Sequence, residues 1–232
     1  MAGPATFSAP NSAGGALRVD LGALVANWRL LSTVAAPAMC GAVVKADAYG
    51  VGVAKAAPAL AAAGCTTFFV ATLDEAIELR GLLGPGPTIF MFNGILPGTA
   101  EDTHSHGIVP VLNDLGQIEE WHGLASRSDT PLPAALHTDT GMSRLGLPPS
   151  EVATLSNEPR RMEGIDLRLV MSHLACAEDP DNPMNEAQLI EFLRQKAALL
   201  PGPASLANSS GIFLGAGYHF ELVRPGVALY GA

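Results

Sequence analysis

Eight short apolar runs, separated by stretches of helical periodicity, constrain the fold of this chain more than any other feature. Most of these runs are continuously apolar, which is typical of parallel strands covered on both faces. Their alternation with helical segments indicates a parallel α/β architecture. The eight predicted strands are residues 40–45, 66–71, 88–92, 108–112, 134–138, 167–173, 204–207 and 227–230.

Helical patterns lie between the predicted strands, and one precedes the first of them. Asp20 is a good N-cap for a leading helix whose residues Leu21, Leu24, Val25, Trp28 and Leu31 share one face. Further helices are predicted over residues 74–83, 114–125 and 185–200, with weaker ones after strands one, three, five and seven. Eight helices for eight strands predict a (β/α)8 TIM barrel, in which the leading helix takes the place after strand eight.

Length and composition fit one domain of this kind. The 232 residues lie in the range of roughly 200–250 typical of a single barrel. A net charge of -9 argues against a nucleic acid or an anionic membrane as partner but allows a small anionic ligand. The barrel is predicted over residues 16–232, after a disordered tail at residues 1–15 that lacks the pattern of a signal peptide.

Cysteine usage and hydropathy predict a cytoplasmic protein. Cys40, Cys65 and Cys176 are odd in number and lack metal-ligand spacing, so we expect reduced thiols and no metal site. No apolar run approaches the roughly 20 residues of a membrane span.

Lys45 ends the first predicted strand, within the segment VVKADAYGVG at residues 43–52. Burying an ammonium is costly unless it is paired or deprotonated, and a deprotonated lysine can form a Schiff base with an aldehyde. The tyrosine and glycines that follow provide a hydroxyl and a turn suited to a phosphate. From spacing alone, a lysine that merely extends along the barrel rim explains the pattern equally well.

Polar residues also follow strands five, six and seven of the prediction, and a further cluster leads into strand eight. Asn208-Ser209-Ser210-Gly211 comes after strand seven, and RPGVALYG at residues 224–231 contains strand eight. Loops after strands seven and eight are the recurrent phosphate site of this fold, although Asn, Ser and Gly are also ordinary turn residues. HTDTGMSRLG at residues 137–146 and SHLA at residues 172–175 complete four polar clusters at one end of the barrel.

The segments VKADAYGVG, HTDTGMSRLG, MSHLACAED, LANSSG and VRPGVALYG resemble the signatures of alanine racemases, in the same order. The resemblance runs from about residue 17 to residue 232. It implies pyridoxal phosphate as cofactor, alanine as substrate and supply of D-alanine for bacterial cell-wall peptidoglycan. It also implies a homodimer in the full-length form.

The resemblance assigns roles residue by residue. Lys45 would bond to the cofactor and act as the base on one face of the substrate's Cα. His173 would lie against the pyridine ring, Arg144 would approach its phenolic oxygen, and Arg224 would contact its nitrogen. Phosphate and other cofactor contacts are expected from Tyr49, Asn208, Ser209, Gly226, Val227 and Tyr230.

An arginine at the pyridine nitrogen has a chemical consequence. A guanidinium does not practically give up its proton, so it donates a hydrogen bond and leaves that nitrogen unprotonated. The ring is then a weaker electron sink, and the carbanion at Cα is quickly reprotonated on the same carbon. This favours racemisation over transamination.

The sequence departs from the family pattern in two respects. The second base, a tyrosine of a C-terminal β-domain acting across the dimer, has no counterpart among Tyr49, Tyr218 and Tyr230. A truncated product, a fragment of a longer gene product and a degenerate copy all fit, and we expect cofactor binding with little or no racemisation by this chain alone. His137 stands where many relatives have a carboxylated lysine that pairs with the neighbouring arginine, so the positioning of Arg144 stays open.

Three alternatives remain beside the racemase. One is a non-catalytic single-barrel protein that binds pyridoxal phosphate in cofactor homeostasis, which matches the length better and the motifs worse. Another is a broader amino-acid racemase or a decarboxylase of the same fold, although decarboxylases favour an acidic partner at the pyridine nitrogen. The third is a barrel that binds a phosphorylated metabolite without any covalent bond.

Overall fold

The computed structural model describes residue 14 and residues 17–231, and most of the tail predicted at residues 1–15 lies outside them. Within this range nine short parallel strands alternate with helices. The strands are β1 (Met39–Cys40), β2 (Ala42–Val43), β3 (Thr67–Val70), β4 (Thr88–Met91), β5 (Val109–Leu112), β6 (Leu132–His137), β7 (Ile165–Met171), β8 (Ala204–Ser205) and β9 (Leu222–Val223).

β1 and β2 are two halves of one strand, separated at Gly41, and each half serves a different neighbour. β2 pairs with β3 at one end of a seven-stranded sheet, whereas β1 pairs with β9. Backbone hydrogen bonds from Glu221 N to Ala204 O (3.1 Å) and from Arg224 N to Ala207 O (3.0 Å) join β8 to β9. Hydrogen bonds therefore run around the whole circle, and the predicted eight-stranded barrel is confirmed.

The helices of the outer layer begin at residues that favour helix starts. The α-helices are α1 (Leu21–Ala35), α2 (Lys45–Tyr49), α3 (Val53–Ala62), α4 (Leu73–Leu83), α5 (Ala100–Ser105), α6 (Leu115–Ala125), α7 (Pro149–Asn157) and α8 (Pro183–Ala198). Asp20 caps α1 and Asp114 caps α6, as the sequence predicts. Thr72, not Asp74, caps α4, because Thr72 and Glu75 form a reciprocal capping box. Asn182 caps α8 through a bond from Met184 N, three residues before the predicted start.

Two predictions about the last third of the chain are wrong. The eighth strand of the barrel is β9, Leu222–Val223. The strand predicted at residues 227–230 is instead a 3-10 helix, Val227–Tyr230. Apolar content misled the prediction, because Leu229 is buried by packing in the main core rather than by strand pairing. After β8 the chain forms two 3-10 helices, Gly211–Leu214 and Ala216–Tyr218, in place of the weak α-helix expected there.

The core has two layers, as expected for a closed barrel. Side chains from the strands fill the interior, where the Phe69 ring stacks on Phe90 and Phe92 at centroid distances of 5.0 and 5.1 Å. A larger cluster fills the space between strands and helices, and it includes the fully buried Trp121. Because the interior is solid, only the strand ends and their loops can form a site. Within the described residues, no helix is both long and apolar enough to cross a membrane.

Candidate active site

The carboxyl ends of the strands surround two adjoining cavities of about 280 and 190 Å³. Lys45, Phe92, Arg144 and His173 line both of them. The larger cavity extends to the loops after β8 and β9, and the smaller one extends to His137 and the end of β4. Nine of the ten residues that the sequence singled out line the larger cavity, and Tyr230 does not; the nine are Lys45, Tyr49, Arg144, His173, Asn208, Ser209, Arg224, Gly226 and Val227.

Lys45 directly follows the first barrel strand and is half-buried. The chain then makes a left-handed turn, in which Ala46, Asp47, Ala48 and Tyr49 all have φ between 52 and 56°. Such a conformation costs an L-residue roughly 1 kcal/mol or more, so contacts must maintain it. The sequence predicted that the glycines after Tyr49 would provide this turn. Gly50 and Gly52 do have φ of 83 and 100°, and the four residues before them adopt a left-handed backbone as well.

Glu75 is one of the residues that maintain the left-handed turn, and sequence reasoning missed it. Its Oε1 accepts a hydrogen bond from Ala46 N at 2.7 Å, and its Oε2 accepts one from Ala71 N at 2.7 Å. Asp47 Oδ1 accepts another from Val53 N at 2.7 Å. One carboxylate thus ties the segment after Lys45 to the end of β3. The capping box at Thr72 was the available signal, because it places Glu75 beside this strand end.

Tyr49 and Gly226 form one wall of the larger cavity. A β-carbon added at Gly226 would lie 2.2 Å from Tyr49 Oη, so only glycine leaves room for the hydroxyl. Behind Tyr49 the ring of Tyr230 lies at a centroid distance of 4.9 Å. The Tyr230 hydroxyl donates to Val43 O at 2.9 Å, which turns it away from the cavity. In this arrangement Tyr230 supports the Tyr49 ring, and the cofactor contact expected of it stays a prediction.

Ser209 joins the loops after β8 and β9. Its buried Oγ accepts hydrogen bonds from Gly226 N at 2.9 Å and Ala228 N at 3.2 Å. Within residues 17–231 this hydroxyl donates to no acceptor, so its proton is available to a ligand in the cavity. Asn208 beside it accepts from Gly211 N at 2.8 Å through Oδ1 and holds the turn. A hydroxyl with an unused proton is suited to an anion.

Arg224 follows β9 directly and is 2% exposed. Its guanidinium donates to Ser205 Oγ and to the backbone oxygens of Ser172 (2.6 Å) and Leu206 (3.4 Å). Among the described residues, no carboxylate lies within 4.0 Å of it. Burial lowers the pKa of Arg224 to about 9, which still leaves the group protonated at neutral pH. The site therefore contains a buried cation with neutral partners.

His173 is held from outside the barrel by α8. Gln188 Nε2 donates to His173 O at 2.9 Å and to Thr140 Oγ1 at 3.2 Å, while its Oε1 accepts from Ala175 N at 2.8 Å. Burial, followed by the charges of Arg224 and Arg144, lowers the pKa of His173 to about 3. The ring facing the cavity is consequently neutral. Gln188 was not among the predicted site residues, since a polar residue inside a helical pattern gives no sign of burial.

Arg144 lies on a loop that closes on itself between β6 and α7. Asp139 N donates to Leu147 O at 2.9 Å, and Asp139 Oδ1 accepts from Gly141 N and Ser143 N at 2.9 and 3.0 Å. Gly146 has φ of 103°, and a β-carbon there would lie 2.9 Å from Asp139 N. The loop thus holds its shape while the Arg144 side chain stays exposed at the cavity.

The family of the chain follows from comparison with known proteins. The family model described as "Alanine racemase, N-terminal domain" matches residues 19–232. This chain belongs to that family. The family barrel accounts for the strand-end site, because the matched range includes every residue described above as lining the cavities.

Two curated relatives and two solved structures illustrate the similarity. A catabolic alanine racemase of Mesorhizobium japonicum is 48% identical over 220 residues, which cover 95% of this chain and 58% of the relative. An alanine racemase of Brucella abortus is also 48% identical, with 95% and 56% covered. The chain thus spans somewhat more than half the length of these relatives.

The solved structures agree with the observed fold. The alanine racemase of Bartonella henselae with covalently bound pyridoxal phosphate superposes with a TM-score of 0.90 at 45% identity, covering 92% of this chain and 62% of that one. The alanine racemase of Streptomyces coelicolor gives a TM-score of 0.86 at 34% identity, covering 92% and 59%. The family membership and the barrel are therefore both confirmed.

Proposed function

We propose that this chain binds pyridoxal phosphate in the cavity at the carboxyl ends of its strands and, as part of a racemase, interconverts L- and D-alanine. The observation that carries the proposal is that Lys45 and Arg224 line one cavity. An amine and a buried guanidinium in the same compartment fit a ligand with an aldehyde and a ring nitrogen. The relatives named alanine racemase support the choice of reaction.

The residues present also fit the phosphate end of this cofactor. Ser209 has an unused hydroxyl proton, and the hydroxyl of Tyr49 approaches the backbone of Gly226 where a side chain would block it. Val227, half exposed at the start of a 3-10 helix, completes this end of the cavity. Tyr49, Ser209 and Val227 lie after the first, seventh and eighth strands of the barrel, which are β2, β8 and β9. The loops after the seventh and eighth strands form the phosphate site common in barrels of this kind.

When bound, pyridoxal phosphate supplies an aldehyde that bonds to amines and a ring that withdraws electrons from the substrate's Cα. Lys45 Nζ would take and return a proton on one face of that carbon. Arg224 would keep its own proton, which limits how far negative charge spreads from Cα and favours return of a proton to the same atom. His173 would pack its neutral ring against the ligand without adding charge.

Racemisation also requires a proton on the opposite face of Cα. Tyr49 faces Gly226, and the Tyr230 hydroxyl is bonded to Val43 O. Tyr218 packs against the hydrophobic core. We therefore propose that the second base comes from outside the described residues, in a homodimer of the whole-length protein. A cytoplasmic location remains a prediction, supported by the three free cysteines.

Reduction with borohydride tests the proposal. The chain has three lysines, Lys45, Lys55 and Lys196, so peptide mapping after reduction in the presence of pyridoxal phosphate identifies the modified amine directly. We expect the adduct on the Lys45 peptide, its loss in Lys45→Arg and its retention in the matched surface variant Lys55→Arg. Equal labelling of all three lysines would refute a specific site. Assays of alanine exchange with and without an added C-terminal domain then distinguish a racemase from a protein of cofactor homeostasis.

A further inference from the structure

The left-handed turn of the candidate site begins directly after Lys45. Ala46 is the first of the consecutive residues with φ between 52 and 56°, and Tyr49 is the last. Lys45 and Tyr49 both line the larger cavity, so a backbone conformation that L-residues avoid connects two residues of the site. The proposed function gives no role to the groups that hold this turn.

The hydrogen bonds inside the turn do not explain why it is left-handed. Ala48 N donates to Val44 O and Gly50 N donates to Ala46 O, both at 2.9 Å. Hydrogen bonds between residues four positions apart close a helical turn of either hand. Because L-residues favour the right-handed form, these local bonds do not select the left-handed one.

Glu75 provides a contact from outside the turn. It lies in the first turn of α4, and its Oε1 accepts a hydrogen bond from Ala46 N at 2.7 Å. Its Oε2 accepts from Ala71 N at 2.7 Å and from Thr72 N at 3.4 Å. No ion pair within the described residues includes Glu75, so backbone N–H groups are the partners of its charge. Hydrogen bonds to a carboxylate are stronger than those between neutral groups.

The start of α4 does not by itself require glutamate at position 75. A capping box forms with either glutamate or glutamine, because one side-chain oxygen is enough for the N–H of the cap residue. Glutamine has a single oxygen, and its NH2 group only donates. With that oxygen on Ala71 N and Thr72 N, a glutamine would present its NH2 group to the N–H of Ala46. The second oxygen of Glu75 therefore serves Ala46 and not the helix.

We propose that Glu75 is a positioning residue for Lys45: its Oε1 holds the N–H of Ala46, fixes the peptide bond after Lys45 in the left-handed turn, and so keeps the amine in the cavity. The reaction of that amine with an aldehyde rests on the proposed function. The contact between Glu75 and Ala46 does not, and it is present in the protein without any ligand.

Hydrogen exchange at single amides tests the contact without cofactor. Ala46 is exposed, so its N–H depends on Glu75 for protection. We expect Glu75→Gln to speed exchange at Ala46 on the order of tenfold and to leave the N–H of Ala71 protected. The matched control is Glu78→Gln, which makes the same change of charge at an exposed position of α4 and should alter neither amide. Unchanged exchange at Ala46 in Glu75→Gln would overturn the inference.

Reductive labelling with pyridoxal phosphate and borohydride tests the effect on Lys45, with Lys55 and Lys196 as internal references. We expect Glu75→Gln to lower the labelling of Lys45 on the order of tenfold relative to these references. Adding Ala46→Gly should restore most of it, since glycine adopts a positive φ without support. A role confined to the stability of α4 predicts no rescue by a glycine outside that helix, and absence of the rescue would reject the proposal.

The two measurements also separate failure of the inference from failure of the proposed function. If the parent chain shows no preference for Lys45 while exchange at Ala46 responds to Glu75→Gln, the cofactor assignment fails and the hold of Glu75 on the turn stands. If the parent chain is labelled at Lys45 and Glu75→Gln is labelled equally well, the inference fails alone.

Discussion

The hydroxyl of Tyr49 occupies the space that a side chain at Gly226 would need, since a β-carbon at position 226 would lie 2.2 Å from Tyr49 Oη. The backbone at Gly226 has a negative φ of -122°, so the requirement for glycine here comes from this contact and not from a left-handed backbone. We expect Gly226→Ala to displace the tyrosine ring and weaken pyridoxal phosphate binding on the order of tenfold, as loss of one hydrogen bond to a charged group does. Titration of the cofactor by fluorescence measures the effect.

Tyr49→Phe provides the control for this contact. It removes the hydroxyl and should by itself weaken binding to a similar degree. In the Tyr49→Phe background, Gly226→Ala should weaken cofactor binding less than it does in the parent chain, because Tyr49 Oη, the atom closest to the added methyl group, is gone. Fully additive losses would show that Gly226→Ala acts elsewhere than on Tyr49.

Acid should destabilise the chain through two imidazoles that stay neutral in the folded protein, the buried His137 and the partly buried His173. The pKa of His137 is lowered to about 3 by burial and by Arg224 and Arg144, against an opposing effect of Asp139. The pKa of His173 is lowered to about 3 by burial and by Arg224, Arg144, His137 and Lys45. The unfolded chain therefore binds protons below pH 6.5 that the folded chain does not, so stability falls as pH falls from 6.5 toward 3.

The expected loss is roughly 2 kcal/mol for each histidine between pH 7 and pH 5. Urea unfolding at several pH values in this interval measures it, above the range in which most carboxylates titrate. His137→Asn should reduce the pH dependence by about half, since one of the two groups is gone. A free energy of unfolding that is constant between pH 5 and pH 7 would contradict the neutral state of both rings.

Much of the fold could be predicted from sequence because it depends on local pattern. Strands two to five are largely apolar runs, and Asp20 and Asp114 are side-chain caps, so both signals reside in neighbouring residues. The eighth strand escaped prediction because Leu222–Val223 has only two residues. It is a strand only by virtue of its pairing with Met39–Cys40, some 180 positions earlier in the chain, and no local pattern contains that partner.

The residues of the candidate site also divide into those with a local sequence signal and those whose role depends on distant parts of the chain. Lys45, His173 and Arg224 could be found because each occurs in a motif, and Lys45 and His173 also end predicted strands. Asn113, whose Oδ1 lies 2.8 Å from His137 Nδ1, also follows a strand, but it belongs to none of the sequence motifs. Gln188 could not be found, because its role depends on how α8 packs against the loops after β6 and β7.

An alanine-to-glycine substitution in the left-handed turn after Lys45 should not lower the unfolding free energy, in contrast to the same substitution in an ordinary helix. Ala46 is exposed with φ of 52°, a backbone conformation that is strained for any residue except glycine. We expect Ala46→Gly to leave the unfolding free energy unchanged or raise it by about 0.5 kcal/mol, as relief of strain exceeds the added flexibility of the unfolded chain. Thermal or urea unfolding measures the change.

Ala187 is the matched control for that substitution. It is exposed in the middle of α8, where the backbone is an ordinary right-handed helix. Ala187→Gly should lower the unfolding free energy by about 1 kcal/mol. A similar loss at Ala46 would mean that the left-handed turn does not exist in solution.

Exchange of the Cα hydrogen should distinguish one-face from two-face proton transfer in this chain. Lys45 is the proposed base on one face of Cα; the Tyr49 hydroxyl lies against Gly226, and the Tyr230 hydroxyl donates to Val43 O. In deuterium oxide with pyridoxal phosphate, we expect one enantiomer of alanine to exchange its Cα hydrogen with retention of configuration and the other to exchange far more slowly. Proton NMR and chiral chromatography follow the two processes. Lys45→Ala should abolish the exchange, and rapid appearance of the opposite enantiomer would show that the described residues already include a second base.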